Sequence, residues 1–488
     1  MSLLPNWGFR NTVHATHSRE TIKLPLKQNN NVESNRTNRD GNDDNFNQIP
    51  LTELINQRVP QIRNNAKHCL SPLLFTGVLQ NFYVAQANYC QSFPVLFGRK
   101  VYQIVPDDPK LDSDRYKHLH AGQFSVDFAI GLENNQSGNI VVDGIKDQFM
   151  KRAKETLTDD YPEVHHCCRY FNDGEMNQLF DTWSNSDCTD DERGIVVIVP
   201  ALAGGINEPQ VRSLAQHLLS KGKHVAVLNC RGCCRTPITT PYLTSGLDTD
   251  DLRWFVDLLH LRFPKQKIYL VGVSFGGVLI TNYICEEADV GNGGMVTSVV
   301  SICKPEDFMN ADHHLTTTYF GKIFDKSTAF SLSKMLKNNR KVLSHLDFCG
   351  EKEIKESCKI ESGREFADKF TCKFAGFPSA DSYLMAASPI MRTLKIKTPM
   401  LILNSLDDPI IGSHYPYFDV LHNPYLYMAT CDLGGHYAFV QNGGDFWYCD
   451  VVADFVDAFD DLVDSNRDID DAGFHAKQTD FRERVMLY

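Results

Sequence analysis

Continuous apolar runs of five to eight residues recur along the chain from residue 194 onward, at Gly194–Val199, 224–230, Lys267–Val273, 296–303, Thr398–Ser405 and Tyr425–Thr430. Runs of that length without alternation are the mark of strands buried on both faces of a parallel sheet. Segments of helical period lie between or beside them, at 208–221, 248–262, 275–286 and 446–464. Strand and helix in alternation predict an α/β fold: a mostly parallel sheet wound by right-handed crossovers, with helices on both faces. The alternation is interrupted once. Between Val296–Ile302 and Met400–Asn404 the pattern is helical only, as in Thr328–Leu336, which predicts an insertion over the carboxyl ends of the strands.

One junction carries chemistry. The run Lys267–Val273 delivers Ser274 into Gly272-Val273-Ser274-Phe275-Gly276, and Gly277–Ile284 follows as a buried helix. A strand that turns into a helix within two residues strains the serine backbone and needs small residues on either side. The serine hydroxyl then projects at a helix N-terminus, where backbone N–H groups can stabilise an oxyanion. Such a nucleophile needs a histidine base and a carboxylate to orient it, in the chain order serine, acid, histidine. The strand ending at Ser405 runs into Leu406-Asp407-Asp408-Pro409, and acids at strand carboxyl ends are where α/β sheets place their sites. Pro409 biases Asp408 away from helical geometry into the turn, so Asp408 is the expected acid and Asp407 a solvated or loop-bonding neighbour. After the next strand, Gly434-Gly435 precede His436, the expected base. The second oxyanion donor belongs on the loop after Val199, which makes the backbone amides of Leu202 and Phe275 the candidate pair.

Taken together, Leu202–Gly205 with Glu208-Pro209, Val227–Cys233, the elbow, Ser405–Pro409 and Leu433–His436 resemble the AB hydrolase superfamily, family 4, and within it the yeast medium-chain fatty acid ethyl ester synthase/esterases. The likeness extends upstream through Asn6–Phe9, Ile22–Lys27 and Leu70–Gly77 and is weakest over 28–48, 105–190 and the insertion after 309. It implies the α/β-hydrolase fold, with Ser274, Asp408 and His436 as nucleophile, acid and base. It also implies serine-dependent acyl transfer: fatty acid ethyl esters made from acyl-CoA and ethanol, and hydrolysed again. Water alone as acceptor would give a monoacylglycerol lipase or carboxylesterase, and a catalytically weak lipid-binding or scaffold protein is the reading from another class. Relatives usually carry His-Gly where this chain has Pro200-Ala201, so a reshaped oxyanion loop is expected here.

On this reading the chain divides into a partly disordered N-terminal segment (1–49), an extension with the first strands (50–193), a core section with the elbow (194–308), an inserted lid (309–396), a core section with acid and base (397–466) and a C-terminal tail (467–488). Phe320, Phe324, Phe330 and Phe377 of the lid are expected along an acyl pocket. Residues 107–193 read as polar and poorly patterned.

Composition removes other classes. A net charge of -12 with no basic stripe argues against nucleic acid. Fifteen cysteines without regular spacing argue for reduced thiols inside the cell rather than a disulfide framework, with Cys233-Cys234 as buried, inert thiols. His165-His166-Cys167-Cys168 matches no zinc spacing, and no metal or cofactor is expected. Leu70–Leu79, broken by Pro72, is too short to span a membrane and is expected to dock on the body of the fold or touch a lipid surface. The expected location is cytoplasmic, or peripheral on lipid droplets or the mitochondrial outer membrane.

Overall fold

The computed structural model describes residues 10–26, 47–86, 93–105, 120–132, 164, 167–184, 194–291 and 295–462. The expected disorder over 28–48, Asn6–Phe9, His165-His166 and the tail from 467 lie wholly or mainly outside these residues. Among the described residues thirteen strands are present: β1 (Arg10–His17), β2 (Lys23–Leu26), β3 (Asn47–Pro50), β4 (Lys67–Cys69), β5 (Val95–Ile104), β6 (Gly122–Leu132), β7 (Cys168–Tyr170), β8 (Ile195–Val199), β9 (His224–Asn229), β10 (Ile268–Val273), β11 (Ser298–Ile302), β12 (Met400–Ser405) and β13 (Leu426–Cys431). Eleven form one sheet in the order β4-β1-β13-β12-β11-β10-β8-β9-β6-β5-β7, and β2 pairs with β3 separately.

The six consecutive strands from β13 to β9 are parallel throughout. They coincide with the continuous apolar runs, and β8, β10, β11, β12 and β13 are buried at every position. Helices Pro209–Ser220, Asp250–Arg262, Phe275–Asp289 and Trp447–Ala458 cover the sheet. The chain therefore has the α/β-hydrolase fold.

Both flanks of the parallel core are antiparallel. β1 pairs with β13, Val13 opposite Cys431, and β6 joins β9 to the β5–β6 ribbon. The segment that read as featureless thus contains β6 and a helix at Asp173–Ser184. Its polar appearance has a physical source. Asp127, in the middle of β6, is fully buried because it is paired with Arg99 of β5 and accepts from Asn229 of β9. A charge satisfied by its partners can stand in a strand that has no solvent face.

Between β11 and β12 the chain is helical, with its longest element at Tyr319–Asn338. A separate apolar cluster built on Leu332, Leu336, Leu343, Phe366 and Phe370 holds this insertion together.

Candidate active site

Ser274 sits between β10 and the helix Phe275–Asp289 with φ 50° and ψ -116°, a strained backbone for a residue with a side chain. Its N–H is satisfied by Ile302 of β11 at 2.8 Å. The flanking glycines are sterically required: a Cβ on Gly276 would fall 1.9 Å from the Val199 oxygen, and one on Gly272 would fall 2.5 Å from the Gly276 oxygen. The strand-to-helix turn is closed that tightly against the end of β8.

His436 Nε2 lies 2.8 Å from Ser274 Oγ, and its Nδ1 lies 2.8 Å from Asp408 Oδ2. The other carboxylate oxygen of Asp408 accepts from the amides of Ile410 and Ile411 at 2.8 and 3.0 Å. Both oxygens of this buried acid are therefore occupied, which fixes its plane and the imidazole it faces. In the tautomer that donates from Nδ1 to Asp408, Nε2 is free to accept the serine proton.

Asp407 performs a different task. It is half-buried, and its carboxylate accepts from Gly77, Gly434 and Gly435, the last two at 2.8 and 2.9 Å. The loop-bonding alternative thus describes it and the solvated one does not. Burial holds its carboxyl above the usual range despite three backbone donors. The Gly435 carbonyl is fixed in turn by Ser405 Oγ at 2.6 Å and Cys303 Sγ at 3.7 Å.

Residues of the N-terminal extension complete the site, and no pattern in the sequence pointed to their part. Asn81, on the helix Gly77–Gln86, bonds both backbone groups of His436, and Gln80 accepts from Val440 beyond it. The expected docking of Leu70–Leu79 is present at Leu70, which is buried, and at Ser71, which donates to Val440, whereas Leu73 and Phe75 face solvent.

Leu202 and Phe275 both line the space beside Ser274. Phe275 opens its helix, so its amide has no partner within it. The loop leading to Leu202 contains Pro200-Ala201. Ala201 keeps an ordinary φ, and the left-handed position is Ala203, at φ 59°.

Ser274 and His436 open on a mostly apolar cavity of about 290 Å³ under the insertion. Phe320, Phe324, Phe330 and Phe377 are not among its walls, which correct to Phe308, Leu315, Leu332, Met335, Phe366 and Phe374. The reason is the face each occupies. Thr328, Ser331, Leu332 and Met335 form the inward stripe of the long helix, while Phe330 lies on the opposite side, Phe324 packs on Phe82 and Phe377 on Tyr383.

Cys233 and Cys234 are unbridged, and burial pushes both thiols up. Among the described residues, His217, Asp445 and Cys449 form a group whose ligand atoms could hold a metal ion. The three lie between helices Pro209–Ser220 and Trp447–Ala458 and are no part of the cavity. No helix among the described residues is long and apolar enough to cross a membrane.

A family described as alpha/beta hydrolase fold matches residues 194–343. The medium-chain fatty acid ethyl ester synthase/esterase 2 of Saccharomyces cerevisiae is 32% identical over 483 residues, covering 94% of this chain and 97% of that protein. The monoacylglycerol lipase of the same yeast is 29% identical over 425 residues, covering 85% of this chain and 86% of its own.

Proposed function

The chain belongs to the alpha/beta hydrolases as a serine carboxylic ester hydrolase of the esterase and lipase type, and on that premise we propose that it transfers medium-chain acyl groups from CoA thioesters to ethanol and hydrolyses the resulting esters. The reading rests on the hydrogen-bonded series Ser274, His436, Asp408 at the floor of an apolar cavity.

In the proposed cycle Ser274 Oγ attacks the acyl carbonyl as His436 Nε2 takes its proton, and Asp408 stabilises the imidazolium. The Leu202 and Phe275 amides receive the negative charge that develops on the carbonyl oxygen. Collapse expels the thiolate or alkoxide, which takes the proton from His436 and leaves the acyl group on Ser274. An alcohol then surrenders its proton to His436 as its oxygen attacks the acyl-enzyme, and the new ester departs as Ser274 regains its proton. Water at the same step yields the free acid. The similarity to a monoacylglycerol lipase supports a second reading in which glycerol leaves and water is the acceptor.

The ethyl esters and monoacylglycerols of these readings partition into lipid, and an exposed apolar surface suits their exchange with it. Leu73 and Phe75 precede the helix Gly77–Gln86, and Tyr319, Phe320 and Ile323 lie on the long lid helix that Phe82 meets at Phe324. Peripheral contact with a lipid surface is part of the proposal.

The experiment incubates the purified protein with octanoyl-CoA, with and without ethanol, and resolves free acid from ethyl ester; a parallel arm supplies monoacylglycerol. Ethyl ester that depends on ethanol and is lost in Ser274→Ala supports the synthase reading. Free acid alone in every arm sinks it in favour of the lipase.

A further inference from the structure

Glu208 ends the loop that follows β8 and precedes the helix Pro209–Ser220, yet its side chain does not cap that helix. The carboxyl turns back under the loop instead. A Cβ on Gly204 would come within 2.6 Å of both its oxygens, and Gly205 supplies a backbone hydrogen bond to it. Oε2 is shut off from solvent and has no hydrogen-bond partner among the described residues. One more buried polar atom without a partner belongs to the same region: Asn229 Oδ1 stands 3.0 Å from where a Gly205 Cβ would be.

The ionisable groups that face Glu208 are Cys233 and Cys234 from the turn after β9, Tyr437 from the histidine loop and Tyr448 from the helix Trp447–Ala458. None of them is a cation. Arg99, which donates to the Cys234 carbonyl, is held by Asp127. Tyr437 directly follows His436, so one of the groups facing the carboxyl belongs to the loop that presents the proposed base.

We propose that Glu208 is a positioning residue which, in its neutral form, keeps the Pro200–Gly205 loop and the Leu202 amide in register with Ser274. The inference rests on the acyl-transfer reading above. A neutral carboxyl fits an enclosure that holds no cation. A carboxylate there has no compensating charge. Burial pushes the Glu208 carboxyl from 4.5 up to about 7, partly offset by the Gly205 hydrogen bond. The folded protein therefore binds this proton more tightly than the unfolded chain does, and stability falls as pH rises from about 4.5 to about 7. Above about 7 the loop carries a buried anion.

The test measures kcat and KM on p-nitrophenyl octanoate from about pH 5.5 to 9 for wild type, Glu208→Gln, Glu208→Ala and Ser274→Ala. Glu208→Gln is expected to match wild type on the acid side and to lack a decline in kcat that wild type shows near pH 7. Glu208→Ala is expected to lose about 10²-fold in kcat, with KM little changed, because the misplaced donor acts mainly in the transition state. Wild-type kcat in Glu208→Ala, or the same alkaline decline in Glu208→Gln, overturns the proposal. If Glu208→Ala does not fold, the pH profile of Glu208→Gln decides alone. Turnover in Ser274→Ala equal to wild type would instead bring down the acyl-transfer reading itself.

Discussion

Asn81 holds His436 by both of its backbone groups: Oδ1 accepts from the His436 N–H and Nδ2 donates to its carbonyl, each at 2.9 Å. A residue 355 positions upstream thereby sets where the imidazole stands. Asn81→Ala removes both bonds and leaves two half-buried backbone groups to find water, at about 1–3 kcal/mol each if they stay buried. A displacement of the ring by about 1 Å costs on the order of 10²-fold in turnover. The expected result is a fall of that size in kcat with a lower melting temperature, read by steady-state kinetics and thermal denaturation. Wild-type kcat in this variant would mean that the histidine loop holds itself.

The adjacent aspartates should separate by what they lose. Asp408→Asn offers the imidazole the wrong partner and is expected to lower kcat by about 10⁴ with the melting temperature nearly unchanged. Asp407 ties Gly77, Gly434 and Gly435 together. Asp407→Asn keeps one acceptor oxygen for three amides, so the expected loss is chiefly in stability, by about 1–3 kcal/mol. Equal kinetic damage from the two substitutions would remove the division of labour drawn here.

How far the sequence could be read follows from what each residue answers to. Ser274, Asp408 and His436 each lie just beyond an apolar run, so strand ends located them before any contact was known. The flanks of the sheet were harder to read because buried polar residues stand among the apolar ones. β1 has Asn11 fully buried, its amide engaged by His68 and its oxygen by the Leu433 amide, and leaves no hydrophobic period. β6 keeps a period of two in Phe124, Val126, Phe128 and Ile130, but Ser125 and Asp127, the latter held by Arg99, and the polar stretches around the strand mask it. The pocket phenylalanines failed for another reason. Residue type shows that a ring will be buried or exposed somewhere, but only the packing of the long helix shows which stripe faces Ser274.

The cavity walls give a prediction about substrate length. Ala367 is buried and lines the cavity, whereas Phe330 is 68% exposed on the outer side of the lid. Ala367→Phe should fill part of the acyl space and shift preference toward shorter chains, changing the octanoyl-to-butyryl ratio of kcat/KM by roughly 10–200-fold. Phe330→Ala should leave the ratio as it is. The measurement is kcat/KM over an acyl-length series, with melting temperature as the control for overpacking. An unchanged profile in Ala367→Phe would place the acyl chain elsewhere.

The loop after β8 supplies the last prediction. Ala203, at φ 59°, occupies the region where a Cβ costs about 1–2 kcal/mol, while Ala201 lies outside it. Ala203→Gly relieves that strain but loses a half-buried methyl group worth up to about 0.8 kcal/mol and gains unfolded-state freedom. The net is expected to stay within about 0.5 kcal/mol of wild type, far from the loss of about 1 kcal/mol usual for a glycine placed in regular structure. Replacing Pro200-Ala201 by His-Gly should give no gain in kcat, because Ala201 holds no left-handed φ for a glycine to relieve. Thermal denaturation checks the first expectation and turnover on a medium-chain ester the second. A rise in kcat at unchanged KM in the double variant would locate the constraint on the oxyanion donor at Pro200-Ala201 after all.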